Sequence, residues 1–420
     1  MRIDIATPDP TRYIIEHEGE IRLEMMEWPN KTLSLLLDAH QLAKSGDKEE
    51  KVNRILQAAR DQSITLRVLQ IWREKLLKEG NRHIFIYDIV EQDANRIKST
   101  EVYEEIVAQN GLQRINQLYN DTEDGLVYSS FETTNDLVSK ISLAFKEKKT
   151  LKNVDYANNA IHTQSIDYHI FVDINLIDNY VAINLDPKSG LMEYGTTDER
   201  VSIVKIAGTY ADKISEVFGI NYLETRELTQ NALYNIWKDA TAYDIPELET
   251  VMDTVTQGTI DFVNSYEGAL KLSDDAKSTL VKRILANFQH IYIKENYADI
   301  EEAIAHTRGN RPGFITEHNV RERTGSTFKQ RSADRETPIE EMDTFGDTQV
   351  TIDELGRVEY LKYTWNGLEG ISKAIPTIMD SKFGFDYIIF TRHATLEEIN
   401  HVISQFRRYK GNIRIARLGH

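Results

Sequence analysis

The chain has no cysteine among its 420 residues. This absence excludes disulfides, thiol nucleophiles and cysteine-ligated zinc. A metal ion would have to be held by carboxylate, imidazole or carbonyl groups. The sequence also lacks any run approaching 18 apolar residues, so we expect no membrane span. Its first ten residues carry no apolar signal-peptide core, and we expect a cytoplasmic protein.

Several catalytic signatures are missing as well. The sequence contains no GxGxxG, P-loop, GxSxG or HExxH pattern. Kinase, ATPase, Rossmann dehydrogenase and zinc-protease functions therefore have no support in the sequence. What the chain does contain must be read from its charge distribution and from the order of its predicted elements.

The negative charge is concentrated in the first 300 residues. The formal net charge is −17, of which the last 120 residues contribute only −1. The final 20 residues hold five basic residues and no acidic ones. A polyanion would approach this end rather than the acidic body. The alternative is a charged edge strand that resists aggregation. The five residues are Arg407, Arg408, Lys410, Arg414 and Arg417.

Hydrophobic periodicity predicts a multidomain protein of mixed α/β and α+β class. We expect an N-terminal helical and α/β domain over residues 1–150, and a central antiparallel β-meander with helices over 151–306. A basic linker or loop would follow over 307–345, and a small mixed α/β core over 346–420. Within the first two regions, the predicted strands are 13–15, 21–23, 83–90, 126–128 and four between 166 and 206. The predicted helices cover 31–79, 100–119, 132–147 and most of 209–306.

The segment 307–345 is predicted to be a linker because only about eight of its 39 residues are apolar. It is rich in arginine, including Arg321 and Arg323. A flexible basic arm would bind a nucleic-acid backbone without sequence preference. A solvated linker without a ligand is the alternative.

The last 75 residues show the most specific pattern. We expect strands at 349–352 and 358–363, a helix at 370–379 and a buried strand at 385–390. A helix capped by Thr395 and Glu398 would follow, ending at Gly411, and then a strand at 413–418. A right-handed crossover would make the last two strands parallel.

This order, with VTIDELGRVEYLKY leading in, resembles the PD-(D/E)xK restriction-endonuclease-like superfamily. The resemblance covers less than a fifth of the chain. It implies that Asp347 and Asp353 bind Mg²⁺ and that Lys362 stabilises the charge on the phosphate. Tyr360 occupies the slot in which the family carries an acidic residue. The implied activity is a Mg²⁺-dependent nuclease, or a nuclease-like domain that has lost catalysis.

Two functional hypotheses follow. The first is a nucleic-acid-binding protein, acting on DNA or RNA, with a nuclease-like C-terminal domain. The resemblance implies a role in phage defence, alongside a protein partner of the same system. The second is a non-catalytic acidic interaction protein that docks a basic partner or mimics nucleic acid.

Overall fold

The computed structural model describes nine stretches of the chain. They are residues 14–112, 124–155, 160–196, 199–243, 245–296, 302, 305–307, 309–321 and 325–418.

The elements alternate between helical and β regions along the chain. The N-terminal half contains α1 Glu18–Glu27, α2 Asn30–Ala39, α3 Lys48–Arg60, α4 Leu66–Lys78, β1 His83–Asp88, α5 Glu91–Ile97, α6 Thr100–Asn110, β2 Gly125–Thr134, β3 Leu137–Asp155, β4 Ala160–Asn175, β5 Tyr180–Leu185, β6 Leu191–Glu193 and α7 Ile203–Phe218. The C-terminal half contains α8 Arg226–Thr241, α9 Pro246–Ser265, α10 Glu267–Leu270, α11 Asp274–Glu295, β7 Gly313–Arg321, β8 Thr327–Arg331, a 3₁₀ turn Ile339–Glu341, α12 Phe345–Leu355, β9 Tyr360–Asn366, β10 Ala374–Asp380, β11 Asp386–Phe390 and α13 Leu396–Leu418. None of the described helices is long and apolar enough to cross a membrane.

The described strands form one 11-stranded sheet. Its order is β2-β3-β4-β5-β1-β11-β10-β9-β7-β8, with β6 paired to β3, and every pairing is antiparallel. Strand β1 lies near the centre, between β5 and β11. The predicted α/β and α+β class is confirmed.

Helices pack on both faces of the sheet. Successive residues of a strand point to opposite faces, so β1 contributes to two hydrophobic cores. Phe85 and Tyr87 lie in one core, beneath α5, α6 and α7. Ile84 and Ile86 lie in the other, beneath α8, α12 and α13. A third core joins the N-terminal helices, and the prediction of helices over 31–79 is confirmed.

Four predictions in the N-terminal half are wrong. Of the predicted strand 13–15, residues 14 and 15 are helical. Residues 21–23 lie in α1 rather than in a strand, and residues 203–206 begin α7. Residues 132–147 form the β2–β3 hairpin rather than a helix. The reason lies at its turn, where Asn135 and Asp136 have φ of 53° and 62°. These two residues tolerate the left-handed conformation that a tight hairpin requires.

The linker prediction for 307–345 is also wrong. Strands β7 and β8 lie within this segment and continue the sheet, and the segment also contains the 3₁₀ turn and the start of α12. Polar residues mislead here because β7 buries several of them: Thr316, Glu317 and His318 are buried along with Ile315 and Val320. The predicted boundary at residue 150 falls inside β3.

The C-terminal core differs from its predicted order in three elements. Residues 349–352 are helical, within α12, and residues 374–379 form the strand β10. Residues 413–418 continue α13 through Gly411, so the parallel strand pair does not form. The strands at 360–366 and 386–390 and the capped helix after Thr395 are confirmed. The element order on which the nuclease resemblance rests is therefore absent.

Candidate nucleic-acid interface

The two predicted metal ligands lie on α12, on one side of the sheet. Phe345 and Ile352 of this helix pack into the same core as Leu361 of β9. Asp347 accepts a hydrogen bond from Asn287 at 3.0 Å, and Asp353 accepts one from the Tyr234 hydroxyl at 2.9 Å. Burial raises the pKa of Asp353, and the Tyr234 hydrogen bond opposes this shift.

Lys362 points to the other side of the sheet. It alternates with Leu361 and Tyr363, which are both buried beneath the helices. Asp353 borders a groove of about 320 Å³ between α11 and α12, across the sheet from Lys362. The structure does not bring Asp347, Asp353 and Lys362 together. Within the described part of the chain, no group of three His, Asp or Glu residues is arranged to hold a metal ion.

The basic residues of the C-terminal tail are divided between the interior and the surface. Lys410 is 1% exposed, and its Nζ lies 2.7 Å from both carboxylate oxygens of Asp386. Arg407 pairs with buried Asp88 and lies over the Tyr180 ring. Both side chains are thus paired with buried carboxylates rather than presented to solvent for the predicted phosphate contact.

The other tail residues have different positions. Arg408 is exposed, with its guanidinium 5.9 Å from the Tyr409 ring centroid. Arg414 and Arg417 follow in the last turns of α13. Arg323 lies outside the described residues.

A different surface gathers cations beside apolar side chains. No described helix packs on the Lys362 side of β7, β8, β9 and β10, since α8, α12 and α13 lie on the opposite side. Residues directly opposite each other in antiparallel strands share a face, so the pairings define this surface. We call it the open face. Its residues are Phe314, Glu317, Asn319, Arg321, Thr327, Lys329, Arg331, Tyr360, Lys362, Thr364, Pro376, Ile378 and Asp380.

Three exposed cations line the outer strands of the open face. The side chains of Arg321, Lys329 and Arg331 are 53%, 57% and 61% exposed. Lys329 Nζ lies 2.7 Å from Oε1 of Glu317, and Arg331 Nε lies 3.7 Å from Oε2 of the same residue. One carboxylate therefore serves two cations, and positive charge remains available to a ligand.

A second shared carboxylate lies at the end of β9. Glu359 Oε1 is 3.9 Å from Arg321 Nε and 3.7 Å from Arg226 Nη2. Arg226 enters the site from α8 and is exposed. Four cations thus surround two carboxylates along this edge.

The centre of the open face mixes charged, aromatic and aliphatic side chains. Lys362 lies opposite Ile378 in β10 and Glu317 in β7. Tyr360 lies opposite Asp380. Burial raises the pKa of Tyr360 to about 12, so its hydroxyl keeps its proton at neutral pH.

An exposed aromatic side chain borders the open face at the β10–β11 turn. Phe383 is 40% exposed and stacks on Phe385, with centroids 5.6 Å apart and planes 12° apart. Its ring lies 6.0 Å from that of Tyr387, the residue opposite Asp380. Lys382 Nζ lies 5.5 Å from the Phe383 centroid. The Phe383 ring and the Lys382 cation therefore lie side by side at the border of the open face.

Arg321 and Lys362 can be identified from the sequence, but the surface that they share cannot. Periodicity gave no clear signal, because GFITEHNVR and TFKQR do not alternate apolar with polar residues and a register shift interrupts β7 between Ile315 and Glu317. No family model matches this chain, and no curated protein matches it in sequence.

Proposed function

We propose that the protein binds single-stranded nucleic acid on the open face. The observation that carries the proposal is a four-stranded antiparallel surface, with no described helix packed on it, that combines exposed cations with partly exposed aromatic and aliphatic side chains. Four-stranded sheets with exposed aromatic residues are a common platform for unpaired bases. Cations beside such a platform neutralise the phosphates that connect the bases.

The cations supply the electrostatic part of binding. Arg321, Lys329 and Arg331 lie on the two outermost strands, and Lys362 lies further in. A strand of nucleic acid would displace Glu317 from Lys329 and Arg331, exchanging one carboxylate for phosphates. The net charge of −17 opposes non-specific association elsewhere on the molecule.

The aromatic side chains supply the part of binding that favours single strands. Bases in a duplex are already stacked on each other, and Phe383 can stack only on a base that is free. Asp347 and Asp353 lie across the sheet from Lys362, so the proposal includes no cleavage of the phosphodiester.

Removing Lys329 and Arg331 together should weaken binding and reduce its salt dependence. Each phosphate contact to a single strand contributes about −0.7 to the slope of log K against log salt. The slope measured for the double variant Lys329→Ala/Arg331→Ala should therefore be less negative by about 1.4. Its affinity at 50 mM salt should fall about 60-fold, if counterion release accounts for the whole loss. Fluorescence anisotropy with labelled single-stranded RNA and DNA measures both quantities.

The matched control removes two cations from another part of the surface. Lys44 and Lys188 are exposed, and each pairs with one carboxylate at 2.7 Å. The variant Lys44→Ala/Lys188→Ala changes the net charge equally and should bind like the unaltered protein. Equal losses in the two double variants would refute the open face as the binding surface.

Phe383→Ala tests the stacking part separately. Stacking of one base on an aromatic side chain contributes about 1–3 kcal/mol, so affinity should fall about 5- to 150-fold. The salt slope should stay the same, because no cation is lost. Phe262, which is also exposed, provides the control variant Phe262→Ala on α9. An unchanged affinity in Phe383→Ala would show that no base stacks there.

A further inference from the structure

Strand β4 has a long edge with no neighbour. Its pairing with β3 runs the whole length of the strand, from Ala160 to Asn175. Its pairing with β5 on the other side covers only Phe171 to Asn175. Among the described residues, no strand pairs with the outer edge of residues 160–170. The edge therefore presents a row of backbone donors and acceptors.

The other outer edges of the sheet carry features that oppose strand addition. Two register shifts interrupt the β2–β3 pairing, and such bulges twist an edge away from a partner. The outer strand β8 carries Lys329 and Arg331, and charged side chains also protect edges.

The segment Ala160–Ile166 has none of this protection. It contains no Asp, Glu, Lys, Arg, Pro or Gly. Residues 161–165 are all exposed, and Ile161 is 59% exposed. A long, flat and uncharged edge is a template for another strand.

We infer that a second copy of this chain occupies the edge, with the two β4 strands pairing antiparallel about a two-fold axis at Gln164. This register sets Gln164 opposite its own counterpart and Ile166 opposite His162 of the second copy. It also keeps like charges apart, because the paired segment is uncharged although each chain carries −17. Antiparallel pairing of identical segments generates a closed two-fold dimer.

Sedimentation velocity and light scattering on the full chain test the inference. The expected species has twice the 48.4 kDa mass of the monomer. Gln164→Lys brings two lysines together at the axis and should give the monomer. The matched control is Thr133→Lys, which adds the same charge to the exposed part of β2 and should remain dimeric.

The absence of cysteine allows an independent test of the register. In the variant Gln164→Cys, mild oxidation should link most of the protein into a covalent dimer, whereas Thr133→Cys should link little. The inference would be overturned if the unaltered protein is monomeric at every concentration and the Gln164→Cys variant forms no covalent dimer. A dimer that survives Gln164→Lys would overturn it as well, since the contact would lie elsewhere. Nucleic-acid binding by the monomeric variant reports separately on the open face.

Discussion

Lys410→Met is expected to lower the free energy of unfolding by about 3–5 kcal/mol, the usual cost of removing one partner from a buried ion pair. Lys410 Nζ contacts both oxygens of Asp386 at 2.7 Å and lies 3.1 Å from Oδ2 of Asp88. Neither carboxylate is exposed to solvent. Methionine fills a similar volume, so the loss reports on the missing charge rather than on a cavity.

Two further contacts hold this buried network in place. The Thr229 hydroxyl donates a hydrogen bond to Asp386, and Arg407 pairs with Asp88. Both remain in the Lys410→Met variant, but they satisfy only part of the hydrogen-bonding capacity of two carboxylates. In the variant, Asp386 keeps the hydrogen bond from the neutral Thr229 hydroxyl but loses the lysine cation.

Urea unfolding followed by circular dichroism measures the effect, with Arg408→Met as the control. Arg408 lies two residues away on the same helix and is exposed, so its replacement should change stability by less than about 0.5 kcal/mol. The double variant Asp386→Asn/Lys410→Met should recover part of the loss, because it removes one of the unpaired charges. If Lys410→Met unfolds at the same urea concentration as Arg408→Met, the network contributes nothing.

The second large effect expected is a loss of stability between pH 6.5 and pH 4. Burial lowers the pKa of His83 and of His169 to about 4, and that of His318 to about 3. The unfolded chain takes up these protons near pH 6.5, whereas the folded protein does not until about pH 4. The unfolded state therefore binds more protons in this window, and the free energy of unfolding falls as the pH falls.

Three such histidines give a limiting slope of about 4 kcal/mol per pH unit. Urea unfolding at pH 7, 6 and 5 measures it. His318→Leu should reduce the slope by about a third, because it removes one of three protons. It should also lower stability at pH 7, since His318 accepts a hydrogen bond from the Trp237 indole at 3.3 Å.

The control for the pH series is His306→Gln, because His306 is exposed. Its slope should match that of the unaltered protein. A stability that stays constant from pH 7 to pH 5 would contradict the neutral state of the three histidines in the folded protein.

Local sequence was sufficient to predict a strand where both faces of the strand are buried, because its residues then form a continuous apolar run. The strands at 83–88 and 386–390 lie in the middle of the sheet, and their sequences read HIFIYD and DYIIF. It failed where tertiary packing overrode propensity. QVTI is typical of a strand, yet it forms part of α12, where Ile352 packs into the core that contains Leu361 of β9 and Val350 lies beside α11.

The site could be predicted only in part for a related reason. Strand periodicity identified Lys362 as a strand residue, but the face on which it lies depends on which helices cover the sheet. The burial of Lys410 depends on Asp88, more than 300 residues earlier in the chain. No local pattern connects residues so far apart, and a cluster of basic letters looks the same whether it faces solvent or a buried carboxylate.

The central position of β1 has a consequence for synthesis on the ribosome. Its partner β11 is also more than 300 residues away, with His83 opposite Ile389. Until that distant segment emerges, β1 is the unpaired edge of a half-built sheet. Pairings between strands so distant in sequence form slowly, and an unpaired strand edge is prone to aggregation until they form. The edge of β1 therefore stays without its partner for most of the synthesis of the chain.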